Sequence, residues 1–217
     1  MATDCLRPSS KPSTPPSSME RRAAPLRRRL GRAGFNPGPL LGAGFDGAVF
    51  RVEPGLVVKA TSCAAEALFF RWLQETGGHP GFPGPVDVAD IGTWQGSRLY
   101  AVVREDVPDL VVEGLPWFYM GADALPARGL LPASRCGPSR EDWDQCAQRA
   151  LDAARPAHKG LLADLVDVLT WAMLRGCLFP PIHEGNLGLR GTQIVVRDLS
   201  RAYPPLPCNL KIRASRG

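Results

Sequence analysis

The chain has 217 residues, a formal net charge of +5 and a hydrophobic fraction of 44%, values typical of a globular protein with one two-lobed domain or two small domains. The first 18 residues contain no apolar segment of the signal-peptide kind. The most apolar helix-like stretch, residues 160–174, contains Asp164 and Asp167 and is too short to cross a bilayer. The composition therefore argues against a membrane-spanning protein and predicts a soluble, cytoplasmic one.

The six cysteines are scattered along the chain without a CxxC pair, and the three histidines do not cluster with them. This pattern indicates neither a zinc site nor a disulfide framework. Reduced thiols in a cytosol are expected.

Positive charge is concentrated at the start of the chain. Residues 1–38 hold eight basic and two acidic residues, so this segment carries +6 and the remainder about −1. Residues 1–20 are rich in Pro and Ser, a composition typical of disorder. The run RRAAPLRRRLGRA that follows is compatible with an acidic partner such as nucleic acid or an anionic membrane, with a solvated leader, or with a transit peptide. No aromatic residue is interleaved to stack on bases, so residues 1–38 are predicted to be a disordered basic arm.

Residues 39–106 are predicted to form a small sheet lobe with a glycine-rich loop, five strands and one helix. A GxGxxG pattern at 42–47 is followed by two short strands, 48–52 and 56–60, around a Pro-Gly turn. A dinucleotide site needs a helix directly after the glycines, and here a strand follows. The pattern favours a flexible hairpin laid over nucleotide phosphates, with a lysine on the third strand reaching them.

Lys59 stands at the expected place for that lysine, near the end of the strand at 56–60, which is the third strand of this lobe. A helix is predicted from Ser62, as its cap, to Glu75, with Glu66 in its first turn. An ion pair with Glu66 would hold the Lys59 ammonium against phosphate, although the helix dipole alone also favours an acid at this place. The apolar stripe of this helix consists of Ala65, Phe69, Trp72 and Leu73.

The rest of the chain, residues 107–217, is predicted to form a reduced helical lobe. The elements that complete the prediction are strands at 86–92 and 98–104, an interlobe connector at 105–108 with backbone groups able to contact an adenine edge, a helix after Ser139 and a helix at 157–175.

The stretch LFPPIHEGNLGLRGTQIVVRDLSRA, residues 178–202, predicts a polar loop followed by a β-hairpin that turns at Arg190-Gly191. The hairpin would bring Asn186 and Asp198 together at one edge of a pocket. A side-chain amide and a carboxylate are hard oxygen ligands suited to Mg²⁺ that bridges nucleotide phosphates. An ordinary structural hairpin is the alternative.

In this order, the motifs resemble those of the protein-kinase-like superfamily, and the loop IHEGNLG is similar to that of its bacterial, phage and aminoglycoside-phosphotransferase-type members. The resemblance covers residues 40–202. It implies an α+β, two-lobed protein-kinase-like fold, with a small antiparallel sheet lobe and a reduced helical lobe, that binds ATP with Mg²⁺. The implied site has Gly42, Gly44, Gly47 and Val49 over the nucleotide, Lys59 on its phosphates, Glu66 orienting Lys59, and Asn186 and Asp198 as metal ligands.

Pro181 stands five residues before Asn186, where the family has its catalytic carboxylate, which leaves His183 and Glu184 as candidates for a substitute base. The 19 residues after Asp198 are also fewer than typical members have there. Two hypotheses follow. The first is an ATP- and Mg²⁺-dependent phosphotransferase acting on a hydroxyl of a protein or small molecule. The alternative is a catalytically impaired pseudokinase that serves as a nucleotide-binding or protein-interaction module, and the basic arm adds nucleic acid as a candidate partner.

Overall fold

The structure, a computed structural model, describes residues 17–110, 140–154, 156, 159–175, 186–197 and 213–214. The elements in chain order are α1 (Ser18–Arg32), β1 (Leu40–Ala43), β2 (Gly47–Glu53), β3 (Leu56–Thr61), α2 (Ala64–Glu75), β4 (Pro85–Trp94), β5 (Ser97–Glu105), α3 (Arg140–Ala153), α4 (Lys159–Met173), β6 (Leu187–Arg190), β7 (Gln193–Val196) and β8 (Arg213–Ala214). The predicted α+β class is confirmed.

Five strands form an antiparallel sheet in the order β1-β2-β3-β5-β4. The turn between β2 and β3 contains Gly55 at a φ of +79°, a conformation that glycine adopts without the steric penalty of a Cβ atom. The short strand β8 pairs in parallel with β4 at the edge of the sheet. The five antiparallel strands were predicted from alternation and turn residues, whereas a two-residue strand leaves no periodic signal.

Helices cover both faces of this sheet because successive side chains of a strand point to opposite faces. On β3, Val58 and Ala60 belong to the buried cluster that includes Leu26 and Leu30 of α1. The side chain of Lys59 instead contacts α2. Alternation along β3 therefore places Lys59 on one face of the sheet and the apolar residues Val58 and Ala60 on the other.

The prediction of a disordered arm over residues 1–38 is wrong for Ser18–Arg32, which form α1. The Ser17 side chain accepts a hydrogen bond from the Glu20 backbone, and the Glu20 side chain accepts one from the Ser17 backbone, which gives a capping box. The composition of this segment did not predict the helix, because only two leucines, Leu26 and Leu30, lie on the face that packs against the sheet. Residues 1–16 lie outside the described part of the chain.

The helix predicted after Ser62 is present as α2, but Ser62 is not its N-cap. Cys63 is the N-cap residue, without a side-chain hydrogen bond, and the Ser62 hydroxyl donates instead to the Asp46 carbonyl. Phe69, Trp72 and Leu73 of the predicted stripe are buried, while Ala65 is half-buried.

The two predicted C-terminal helices are present as α3 and α4. Leu162, Leu165, Val168, Leu169 and Ala172 of α4 are buried, and Leu161 packs partly buried against the same cluster. Within the described parts of the chain, no helix has the length and apolar character needed to cross a membrane.

Helix α4 also contacts the segment between α2 and β4. A Cβ atom on Gly81 would meet the Val168 side chain at 2.0 Å, and the rings of Trp72 and Trp171 lie 5.5 Å apart. The predicted hairpin β6–β7 is present around Gly191, whose φ is +62°. Val196 of this hairpin donates its N–H to the Gly81 carbonyl at 2.9 Å, so hairpin and helix meet the sheet lobe at the same segment.

Candidate functional site

The glycine-rich turn joins β1 to β2 and is held at its base by backbone bonds. The Gly44 N–H donates to the Gly47 carbonyl at 2.8 Å, and the Ser62 N–H donates to the Asp46 carbonyl at 2.8 Å. Gly47 is required by packing, because a Cβ atom there would lie 1.8 Å from the Ala60 carbonyl oxygen. Gly42 differs, since a Cβ atom there would meet nothing within 4 Å.

Gly44 shares this freedom, with nothing within 4 Å of an added Cβ atom. Neither Gly42 nor Gly44 has a positive φ in the structure. Intramolecular packing therefore does not explain glycine at these two positions. Glycines with no steric role in the fold are typical of a backbone that a ligand approaches closely.

Lys59 and Glu66 form the predicted ion pair. The Lys59 Nζ atom lies 2.7 Å from Glu66 Oε1, and the two side chains are only 7% and 0% exposed. Removing two charges from water costs free energy that their attraction only partly offsets. A buried pair of this kind is therefore a poor stabilising device and a good candidate for a functional one.

The second carboxylate oxygen of Glu66, Oε2, is buried and has no hydrogen-bond partner among the described residues. Glu66 thus commits one oxygen to Lys59 and keeps the other desolvated. The arrangement fixes the ammonium near the end of β3.

A cavity of about 250 Å³ lies under the glycine-rich turn. Its lining combines the turn with the side chains of Val49 and Lys59. The predicted residues Gly42, Gly44, Gly47, Val49 and Lys59 therefore surround one space, and Glu66 adjoins it through Lys59.

A second cavity, of about 420 Å³, shares Gly42 and Val49 with the first. Leu41, Val57 and Val107 contribute apolar surface to it. The two cavities thus form a smaller space beside the lysine and an adjoining larger space beside the connector that follows β5. Charged side chains complete the lining of the larger cavity, namely Arg51, Arg104, Asp106, Asp109 and Arg197.

The arginines of this larger cavity bind the connector. Arg104 Nη1 donates to the Glu105 carbonyl at 3.2 Å, and Arg197 Nη1 donates to the Val107 carbonyl at 3.0 Å. Two carbonyl oxygens of the connector therefore already accept hydrogen bonds from guanidinium groups.

The sequence analysis missed both arginines. Arg104 pairs across the sheet with Val57, two residues from Lys59, so strand alternation places it on the face of the lysine. That signal was readable once the register of β3 and β5 was known. Arg197 has no such signal, because only the folded hairpin brings it to the connector.

Hairpin β6–β7 brings Asn186 to the connector side of the molecule. Leu189 N–H donates to the Pro108 carbonyl at 3.1 Å, and a Cβ atom on Gly188 would lie 2.4 Å from that same oxygen. At the open end of the hairpin the Arg197 N–H donates to the Asn186 carbonyl at 2.6 Å. Asn186 is thereby placed beside the strand end that leads to Asp198.

The predicted residues His183, Glu184 and Asp198, together with Pro181, lie outside the described residues. Across the described ranges there is no group of three or more His, Cys, Asp and Glu side chains able to hold a metal. The metal-ligand prediction for Asn186 and Asp198 therefore stays a prediction.

Arg190 ties the hairpin to the sheet lobe. Its Nε donates to Glu105 Oε1 at 2.8 Å, a second bond joins Nη2 to Oε2, and other guanidinium protons reach the carbonyls of Pro80 and Phe82. Hydrogen bonding from Arg190 holds the pKa of Glu105 below its ordinary value. The connector is clamped at the residue where β5 ends.

Comparison with known proteins gives matches among solved structures. No family model matches the sequence, and no curated protein matches it. The chain is similar to a thermostable mutant of aminoglycoside phosphotransferase APH(4)-Ia in ternary complex with AMP-PNP and hygromycin B, with a TM-score of 0.41, 15% identity and coverage of 83% of this chain and 72% of that chain.

Two further matches are the same phosphotransferase, with a TM-score of 0.38 and 14% identity over 83% of this chain and 72% of that chain, and a thermostable mutant in its apo form, with a TM-score of 0.39 and 16% identity over 83% of this chain and 71% of that chain.

Proposed function

We propose that this chain binds ATP with Mg²⁺ and transfers the γ-phosphoryl group to a hydroxyl of a protein or small molecule. The observation that carries the proposal is the buried Lys59–Glu66 ion pair at the wall of the cavity under the glycine-rich turn. A desolvated ammonium beside a space roofed by glycines is suited to polyphosphate.

The residues around the two cavities are suited to a nucleoside triphosphate. The Lys59 ammonium binds phosphate oxygens, and Glu66 keeps it in place. Gly42 and Gly44, whose Cβ positions are open, let the turn approach the phosphates. The apolar surface of Leu41, Val49 and other residues in the larger cavity accommodates the base.

The donor chemistry of Asn186 and Asp198 fits Mg²⁺, which prefers amide and carboxylate oxygens in a site that it shares with phosphate. When bound, Mg²⁺ supplies neutralisation of the phosphate charge. Asn186 and Asp198 would hold it, and the Lys59 ammonium adds a further positive charge.

In the transfer step, the acceptor oxygen forms a bond to the γ-phosphorus and the bond from that phosphorus to the leaving oxygen of ADP breaks. The proton of the acceptor hydroxyl passes to His183 or Glu184, because Pro181 offers no basic atom. Positioning and charge stabilisation supply most of the rate enhancement in such reactions, so a base at a shifted position is compatible with turnover.

The second candidate function is nucleotide binding without transfer, as in a pseudokinase. Pro181 favours it, since proline can neither accept a proton nor orient a hydroxyl. The two candidates share the Lys59 site and differ only in chemistry. ATP-dependent thermal stabilisation without turnover supports binding alone, and the absence of any response to ATP and Mg²⁺ contradicts both.

The deciding experiment uses γ-labelled ATP with Mg²⁺ and a panel of acceptors that includes the protein itself, a generic protein substrate and hygromycin B. We expect label transfer by the wild-type chain, and a decrease of at least about a hundredfold in Asp198→Ala, the order expected when a major stabilising charge is removed. Lys159→Met, at an exposed lysine on α4, is the control. Equal transfer by wild type and Asp198→Ala would reject the metal assignment.

A further inference from the structure

Helix α1 has two contrasting faces. Ala23, Leu26 and Leu30 are buried against the sheet. Arg21, Arg28 and Arg32 follow at helical spacings of seven and four residues on the opposite side, and all three are exposed. These three residues form the arginine stripe, which spans about 16 Å at a rise of about 1.5 Å per residue.

A cavity of about 510 Å³ adjoins this helix, between α1, the glycine-rich turn and the turn that joins β4 to β5. Arg21 and Arg22 bring positive charge to it, and Phe45 and Trp94 bring aromatic rings. None of the described residues that line it is acidic.

Phe45 is unusual in its exposure. It stands in the glycine-rich turn with 84% of its surface exposed. On the facing side of the cavity, Gln95 and Gly96 form the two-residue turn between β4 and β5, and their φ values of +50° and +81° are those of the type I′ turn that favours such hairpins. A rigid hairpin turn therefore faces an exposed aromatic ring across the cavity.

The chemistry of this cavity suits an anion attached to a planar ring. Guanidinium groups bind phosphate oxygens through several hydrogen bonds. The exposed Phe45 ring and the remaining surface of Trp94, which packs partly buried against the core, provide faces on which a base stacks. Ser62, Gln95 and Ser97 in the lining offer hydrogen bonds to base edges.

An anionic membrane fits less well. A helix that lies in a lipid interface buries its apolar face among acyl chains, and the apolar face of α1 is already occupied by the sheet. A partner of this face would therefore meet the exposed arginines and a concave pocket that contains aromatic rings. A flat headgroup surface does not fill such a pocket.

We infer that this cavity binds one nucleotide unit of single-stranded nucleic acid, with neighbouring phosphates running along the arginine stripe. Phe45 and Trp94 contact the base, and Arg21 and Arg22 contact its phosphate. The positive run alone did not predict this site, because the stacking rings come from β4 and from the glycine-rich turn.

The site has a consequence for the cavity that contains Lys59. Ala43, Gly44, Phe45 and Gly47 line both cavities, so the glycine-rich turn is the wall between them. A nucleic-acid strand bound on one side contacts the turn that covers the nucleotide on the other side. Each ligand therefore changes the affinity of the other by the same factor. This coupling rests on the proposed ATP site, whereas the nucleic-acid site does not.

Fluorescence anisotropy with labelled 12-nucleotide oligo(dT) and oligo(U), without ATP, tests the site on the full chain. We expect binding to both probes. The variant Arg21→Gln/Arg22→Gln should bind at least about tenfold more weakly, with a salt slope smaller by roughly 0.7 for each phosphate that it no longer neutralises. Preference for one probe tells whether the sugar hydroxyl contributes.

The matched control is Arg149→Gln/Arg175→Gln, which removes the same charge from exposed positions on α3 and after α4. It should bind like the wild type. Equal weakening in the two double variants would show that only net charge matters and would overturn the inference.

The variant Phe45→Ala tests stacking. Because the Phe45 side chain is exposed, the melting temperature of the variant should match that of the wild type. Its affinity for the oligonucleotides should fall about tenfold, the order expected for one base stacked on one ring. Unchanged affinity in Phe45→Ala, or binding to phosphatidylserine vesicles with none to oligonucleotides, would overturn the site.

A titration of ATP and Mg²⁺ by calorimetry, with and without oligo(dT), tests the coupling separately. Oligonucleotide binding without any ATP binding leaves the nucleic-acid site standing and rejects the proposed function. ATP binding without oligonucleotide binding leaves the proposed function standing and rejects the nucleic-acid site. Binding of both ligands with no mutual effect on affinity overturns only the coupling.

Discussion

At the scale of single residues, the ion pair of Lys59 and Glu66 is unfavourable for stability, and we interpret it as serving function. Their charges are almost completely withdrawn from water, where a hydrophobic pair of similar volume is often as stable or more stable. The pair is retained beside a cavity with glycines above it. We interpret it as a positioned cation whose cost in stability is accepted for phosphate binding.

The variant Lys59→Met separates these contributions. It should lower the free energy of unfolding by about 3–5 kcal/mol, since it leaves the Glu66 carboxylate buried without a countercharge. Lys59→Met combined with Glu66→Leu should recover most of that loss in urea denaturation, yet bind no ATP in calorimetry. A double variant with wild-type ATP affinity would refute the phosphate role of Lys59.

The glycines of the turn allow a second test at this scale. Gly47→Ala forces a Cβ atom to 1.8 Å from the Ala60 carbonyl oxygen and should cost about 1–3 kcal/mol of stability through overpacking against backbone. Gly44→Ala meets nothing within 4 Å and should keep the wild-type melting temperature while weakening ATP binding. Wild-type ATP affinity in Gly44→Ala would argue against close approach of phosphate at this glycine.

At the scale of elements, hairpin β6–β7 and the connector after β5 behave as one unit. The hairpin is bound to the connector by backbone bonds to Pro108 and Leu110 and to the end of β5 by the pair Arg190–Glu105. The position of Asn186 relative to the sheet lobe depends on this unit. Loss of the clamp should therefore affect the site as well as stability.

The variant Arg190→Met should cost about 1–2 kcal/mol, because charge-assisted hydrogen bonds are removed from a partly exposed position. Arg190 lowers the pKa of Glu105, so the bond stabilises the fold above the ordinary glutamate pKa and loses this contribution as pH falls below it. Wild-type stability should accordingly fall more steeply than that of Arg190→Met as pH is lowered from about 5 to about 3.

Arg71→Met is the matched control for this measurement, since it removes a surface pair within α2 that is worth only about 0.3–0.5 kcal/mol. Urea midpoints across the same pH series give the comparison. Parallel pH profiles for wild type and Arg190→Met would contradict the assigned role of Glu105.

At the scale of the whole molecule, the sheet is covered by a helix on each face, and each helix lies beside a candidate binding cavity. Helix α2 supplies Glu66 on one face, and α1 supplies the arginines on the other. The glycine-rich turn is common to both cavities. The segment that composition assigned to a disordered arm is thus, from Ser18 onward, a structural part of the sheet lobe.

The variant Leu30→Ala tests this integration. Leu30 is 0% exposed, and its truncation should cost about 2–5 kcal/mol, as for other buried leucines. Met19→Ala, at a side chain that is 43% exposed on the same helix, should change stability by less than about 0.5 kcal/mol. Similar, small effects in both variants would mean that α1 is not docked on the sheet.

The sequence by itself determined the order of the elements and much of the nucleotide side of the site. Alternation predicted five strands, glycines marked their turns, and the spacing from Gly42 to Lys59 and Glu66 was sufficient to place an ion pair, because those contacts are close in sequence. Local patterns encode local structure, and the residues concerned lie within 25 positions of one another.

Only the tertiary structure decided the rest. The burial of α1 depends on a sheet face assembled from four later strands, and the meeting of Arg21 with Trp94 joins positions 73 residues apart. The arginines at the connector depend in the same way on the register of β3 with β5 and on the docking of the hairpin. Such contacts follow from which surfaces pack together, and no periodicity within one segment records that choice.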